Sequence, residues 1–315
     1  MSSAGMDETD FLDRVRLVAE AFRPAAPIDR RELFAGRGEQ IAELFAIVSQ
    51  PGQHAIVYGE RGVGKTSLGL VAAELLGAAD VLCAWATCDA SDDFSSVWRK
   101  ALGEIGLTTA KQALGFGERV DETTEPLSRL LASGVTPHTV QGALRQASRQ
   151  RPVALFFDEF DRFQEAEGRV LFADTIKALS DRVVSSTLVL IGVADSVGEL
   201  IREHRSVERA LVQVQMPRMT REELAQIVTS GMAVAGMTTT NGTVDRIAML
   251  SQGLPHYTHL LAQLAAQNAL ADGRTDVGLR DVQAAVERAI ERAQQSVAEA
   301  YTRATAGSSR SLRPQ

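Results

Sequence analysis

The chain is short of cysteine. Of 315 residues only Cys83 and Cys88 carry a thiol. They are five apart on what reads as one strand, which turns them to opposite faces and out of reach of a bridge, so a reducing compartment is expected. A zinc pattern is missing too, because His54, His138, His204, His256 and His259 are scattered without metal-ligand spacing. No run of about 18 apolar residues occurs. The N-terminus, "MSSAGMDETDFLDRVRLVAEAF", has acids where a signal peptide needs bases. Neither a membrane span nor export is expected, which makes the cytoplasm the expected location. Positive charge is scarce: 33 Lys and Arg stand against 40 Asp and Glu, for a net charge of −7 and a pI near 5.4. That balance argues against a chain-wide basic surface for DNA and leaves only a local patch open. Aromatics make up 5% of the chain, and its two tryptophans, Trp85 and Trp98, sit in apolar surroundings that assign them to a core.

What is present is the composition of an ordinary globular protein, 45% hydrophobic and 23% charged, long enough for one large domain or two. Phe11, Val15, Val18 and Phe22 recur at helical spacing, and "RPAAPIDRRELFAGR" then breaks the helix, so 1–32 reads as a leader helix and hinge. Four β-rich apolar runs follow: "HAIVY" (54–58), "VLCAWAT" (81–87), "VALFF" (153–157) and "TLVLIGV" (187–193). A fifth, "LVQVQ" (211–215), alternates. Helical patterns separate them, which predicts an α/β domain over 33–217 whose parallel five-stranded sheet is covered on both faces. Residues 108–137 are polar and poorly periodic and read as an elaborated loop. Past Pro217 strand signals vanish. Helices are expected at 221–235, the first announced by a Thr220/Glu223 capping box, then at 243–251, 255–272 and 279 to about 300. Together they make a smaller all-α domain over 218–300. The tail 301–315 is small, polar and basic, and is expected to be disordered.

The chemistry concentrates in "VYGERGVGKTSL". Gly59 to Thr66 fit G-x-x-x-x-G-K-[ST] between an apolar strand and a helix, the context in which that spacing cradles phosphate. Glycines let backbone N–H groups turn inward, and the helix N-terminus adds attraction for negative charge. Gly59, Glu60, Arg61, Gly62, Val63, Gly64, Lys65, Thr66 and Ser67 are the expected contacts, with Lys65 reaching the β and γ phosphates and Thr66 holding Mg²⁺. "VALFFDEFDRF" ends a buried strand in carboxylates at the sheet edge where ligands bind. Asp158 is expected to ligate Mg²⁺ through water and Glu159 to orient or deprotonate the attacking water, with Asp161 next in line for that role. The plainer alternative is a solvated acidic turn capping a helix. No N-K-x-D guanine motif occurs, which favours adenine.

These motifs resemble the AAA+ and STAND branches of the P-loop ATPases, especially their origin-recognition-like members, over roughly Leu33 to Ile290. The resemblance implies a P-loop NTPase fold with a helical lid, ATP and Mg²⁺ as ligands, and ATP hydrolysis. "LFAGR" is similar to an F-x-G-R element and would place Phe34, Gly36 and Arg37 near the base. "LIGVADS" would lie between the two nucleotide strands with Asp195 at a polar sensor position, where Ser196 competes for the role. "EHRSVERAL" would supply an arginine finger from Arg209 or Arg205, Arg209 matching better. "SQGLPHYTHLL" is similar to a G-x-P element that would bring Pro255 and His256 to the nucleotide, although the sensor arginine usual at that helix start is missing.

Three functions fit. The first is an assembling ATPase whose site is completed by a neighbouring subunit. The second is a STAND-like switch with little turnover that controls a protein partner. The third is a DNA-associated initiator or transposition-type ATPase. The acidic charge opposes the last, and the tail is too short for the winged helix such relatives often append, so that either a DNA reader is lacking or the chain is truncated. Self-association or a protein partner is therefore expected beside ATP.

Overall fold

A computed structural model describes residues 8–28, 36–112, 120–192 and 207–308. The chain divides into two compact units, Gly36–Pro217 and a second formed by 1–35 together with 218–315.

In the first unit the apolar runs become the strands they suggest. Strands β1 (His54–Tyr58), β2 (Leu82–Thr87), β5 (Val153–Asp158), β6 (Ser186–Gly192) and β7 (Leu211–Gln215) form a sheet in the order β2-β5-β6-β1-β7. All its pairings are parallel, and β6 lies between β5 and β1 as expected. Every residue of β5 and β6 is buried, because helices cover both faces and leave no polar side to the strand. Edge strand β7 departs from the expected alternation: Leu211 is buried although it shares a face with exposed Gln213 and Gln215, while Val214 is buried on the other face. The other edge, β2, is partly closed by Glu104, whose carboxylate accepts the Trp85 N–H at 2.7 Å.

The flanking helices are α2 (Gly38–Val48), α3 (Lys65–Ala78), α4 (Phe94–Gly103), α5 (Pro137–Ala147) and α6 (Ala166–Asp181). Reciprocal side-chain and backbone bonds start α4 at Asp93/Ser96 and α5 at Thr136/Thr139. Gly69 lets α3 settle on the sheet, since a Cβ there would come within 2.6 Å of the Ile191 side chain and 3.0 Å of the Trp85 ring. Trp98 is fully buried and packs with Phe157 and Phe172. The stretch expected as a loop holds an antiparallel hairpin, β3 (Gly106–Gln112) with β4 (Val120–Pro126), then a 3₁₀ turn at Leu127–Leu131. A ladder of backbone hydrogen bonds between adjacent strands needs no apolar period, which is why the sequence hides it.

The second unit contains α1 (Glu8–Ala21), α7 (Arg221–Val234), α8 (Thr243–Leu250), α9 (Pro255–Ala271) and α10 (Leu279–Ser308). Helix α1 is part of this core: its Val18, and Phe22 just beyond its end, are fully buried with Val228, Met232, Ala262 and Leu264. Gly231 gives Phe22 its place, because a Cβ there would meet the Phe22 ring at 2.3 Å. The Thr220/Glu223 capping box forms as anticipated, with Thr220 N–H on the Glu223 carboxylate at 2.8 Å. Helix α10 carries regular structure to Ser308, into the stretch expected to be disordered. Two short parallel strands, β8 (Thr238–Thr239) and β9 (Asp276–Val277), also escape the sequence patterns. Among the described residues no helix is long and apolar enough to cross a membrane.

Candidate nucleotide site

Residues 59–64 join the end of β1 to the start of α3 at the carboxyl edge of the sheet. Gly62 and Gly64 hold φ of 87° and 95°, a region that side chains with a Cβ rarely adopt. Gly59 is required by contact, since a Cβ there would lie 2.5 Å from the Met216 carbonyl oxygen. Gly64 is the N-cap of α3 and supplies no side-chain cap, and the first N–H groups of a helix have no acceptor within it. Loop and helix end therefore present donors suited to an anion.

The Lys65 ammonium folds back over this loop, donating to the Gly59 and Glu60 carbonyls at 2.9 Å each. Burial lowers its pKa below the ordinary lysine value, against the opposing charges of Asp161 and Asp158. Thr66 Oγ1 donates to Asp158 Oδ1 at 3.2 Å, so the two expected metal ligands meet across residues far apart in sequence. Asp158 is the last residue of β5 and is 6% exposed. Burial raises its pKa, while hydrogen bonds from the Glu159 N–H and Thr66 pull the other way. A hydroxyl and a carboxylate beside a phosphate cradle are hard oxygen donors that fit Mg²⁺, an ion that keeps several waters and leans on phosphate oxygens. The described residues hold no cluster of three or more His, Cys, Asp or Glu suited to a metal.

Glu159 follows in a left-handed conformation, φ 51°, and caps the 3₁₀ turn Phe160–Arg162. That turn brings Arg162 round, and its Nη1 donates to Glu159 Oε2 at 2.7 Å. The carboxylate expected to face the γ phosphate is thus paired with a cation, and Asp161 exerts the largest carboxylate charge on Lys65. Arg162 was not singled out in the sequence, although its position three residues after Glu159 is a usable signal.

Arg37 is buried, and its Nη2 donates to the carbonyls of Val63 and Pro217. Arg209 is exposed in the turn 207–210 that leads into β7. Leu211 pairs with His54 and Gln215 with Tyr58, so Arg209 lies at the amino edge of the sheet while the cradle leaves the carboxyl edge. Four residue steps of strand separate those edges by roughly 13 Å. Pro255 and His256 open α9 in the other unit, where Pro255 takes the first helical position and His256 Nδ1 bonds the Pro24 carbonyl at 2.8 Å. Gly253, φ 82°, packs against Arg218, with only 2.7 Å from an added Cβ to the Arg218 Cβ. Phe34, Asp195, Ser196 and Arg205 lie outside the described residues.

The profile of the AAA ATPase domain family matches residues 33–191. The chain belongs to the AAA ATPase family. No curated protein matches this AAA ATPase by sequence. Its fold is similar to that of the Walker-type ATPase of Pyrococcus abyssi, with a TM-score of 0.60 at 15% identity over 91% of this chain and 80% of that one. The Aeropyrum pernix Orc1 protein, solved in complex with DNA, gives 0.56 at 17% identity over 87% and 69%. The Thermotoga maritima RuvB Holliday junction branch migration motor gives 0.53 at 15% identity over 81% and 70%. These likenesses agree on the P-loop α/β fold and bear on nothing finer. An AAA ATPase is an ATP-binding protein.

Proposed function

We propose that this AAA ATPase binds ATP with Mg²⁺ on the 59–67 cradle and hydrolyses it in a self-assembled state, with Arg209 of a neighbouring copy completing each site. Lys65 would leave the Gly59 and Glu60 carbonyls for the β and γ phosphates, and Thr66 and Asp158 would hold Mg²⁺, directly and through water. When bound, Mg²⁺ neutralises charge developing on the transferred phosphoryl group. Glu159 would orient the attacking water and accept its proton.

The observation that carries this reading is the position of Arg209, an exposed arginine on the sheet edge opposite the cradle. From there it serves another copy's site more readily than its own. An arginine supplied in trans contributes about 10³ to 10⁵ in rate in related phosphoryl transfers. In the test, Arg209→Ala chains are mixed with Lys65→Ala chains. Each alone should be inactive, whereas the mixture should recover turnover, because some interfaces then pair an intact cradle with an intact arginine. No recovery at any ratio, with wild-type specific activity independent of concentration, would refute the shared site.

The Glu159–Arg162 pair favours a second reading, a nucleotide-dependent switch with little turnover, because it occupies the carboxylate that hydrolysis needs. ATP binding with negligible hydrolysis at all concentrations would select it.

A further inference from the structure

The F-x-G-R element puts Arg37 among residues expected beside the base, yet its side chain is engaged elsewhere. Arg37 is 5% exposed and sits at the N-cap of α2 with φ 64°. Its Nη2 donates to the Val63 carbonyl at 3.2 Å and the Pro217 carbonyl at 2.6 Å. Val63 is the buried residue within the cradle, 1% exposed. Pro217 closes the sheet unit just beyond β7. The other end of the cradle rests on the same segment: Met216 N–H donates to the Tyr58 carbonyl at 2.7 Å, and a Cβ on Gly59 would lie 2.5 Å from the Met216 carbonyl oxygen.

We propose that Arg37 is a positioning residue for the phosphate site, a clamp that fixes the Val63 peptide against the exit of β7 and so presets the cradle for triphosphate whatever base is attached. This deepens the ATP reading above and rests on it. A trans peptide directs its C=O and the following N–H to opposite sides. Holding the Val63 carbonyl on Arg37 therefore turns the Gly64 N–H away from Arg37, and inward-facing N–H groups are what a phosphate nest requires. Burial strengthens the clamp, since both bonds have a charged donor and little competition from water. Without the guanidinium the Val63 carbonyl loses its charged partner and the loop samples orientations that present fewer N–H groups.

The experiment compares ATP, GTP and inorganic tripolyphosphate binding to full-length wild-type, Arg37→Lys and Arg37→Ala chains by calorimetry, with melting curves alongside. The clamp predicts that Arg37→Ala weakens all three ligands by the same factor, about tenfold to a hundredfold for loss of a charge-assisted bond, and that Arg37→Lys recovers part of it. The ratio of ATP to GTP affinity should not move. Loss confined to ATP would overturn the clamp and return Arg37 to the base. Unchanged tripolyphosphate binding in a folded Arg37→Ala chain, or a lowered melting point with normal affinities, would overturn it as well. A wild-type chain that takes up none of the three would instead overturn the nucleotide reading on which the clamp depends.

Discussion

His54 makes the stability of the sheet unit depend on pH in a way that can be worked out in advance. It is fully buried at the start of β1, and its Nδ1 accepts the Leu188 N–H at 3.0 Å. An accepting Nδ1 requires a neutral ring. Burial pushes the pKa down from 6.5 to about 4, against a smaller opposing pull from the Ile176 backbone. The unfolded chain therefore takes up this proton near pH 6.5 and the folded chain only near pH 4. Stability contributed by the neutral ring is complete above the unfolded value, falls as pH drops below it, and is lost once pH passes the folded value. A shift of that size corresponds to about 3 kcal/mol in full, of which about 2 kcal/mol is gone by pH 5. The assay is urea unfolding at pH 7 and pH 5 followed by tryptophan fluorescence. Trp85 and Trp98 are the chain's only tryptophans and both lie in the sheet unit. That choice leaves out His259 of the other unit, which burial also lowers to about 4. His54→Asn is the control: Asn can still offer an oxygen near the Leu188 N–H but does not titrate. Wild type should lose about 2 kcal/mol more than His54→Asn between the two pH values. Equal losses would refute the argument, because carboxylates common to both chains would then account for all of the pH dependence.

Two further outcomes are expected. Glu159→Gln should lower kcat by about a hundredfold or more while leaving ATP affinity near wild type, as removal of a general base does; unchanged turnover would transfer the role to Asp161, whose charge already acts on Lys65. Gly231→Ala drives a methyl group to 2.3 Å from the Phe22 ring and should destabilise the helical unit by about 1–3 kcal/mol on thermal melts followed by circular dichroism. An unchanged melting temperature would mean that Phe22 swings aside freely.

Much of this protein was legible without coordinates, for a physical reason common to every part that was. The strands at 54–58 and 211–215, the cradle between strand and helix, and the Thr220/Glu223 cap are all written in residues a few positions apart, where periodicity, glycine and capping chemistry act. What required the tertiary structure involves partners distant in the chain. Thr66 meets Asp158 only because β5 and β1 flank β6. Arg37 has carbonyl partners 26 and 180 residues away, and no local pattern distinguishes that clamp from a contact with a base. Arg209 belongs to the amino edge because parallel pairing sets Leu211 opposite His54. Helix α1 was readable as a helix but not as part of the C-terminal core, since an amphipathic stripe declares that it needs cover and does not name what covers it. Sequence alone determined the strands of the main sheet, most of the helices and the glycine turn that joins β1 to α3. Only the fold decided which side chains share a site, because that depends on long-range packing of surfaces that local residue patterns leave unspecified.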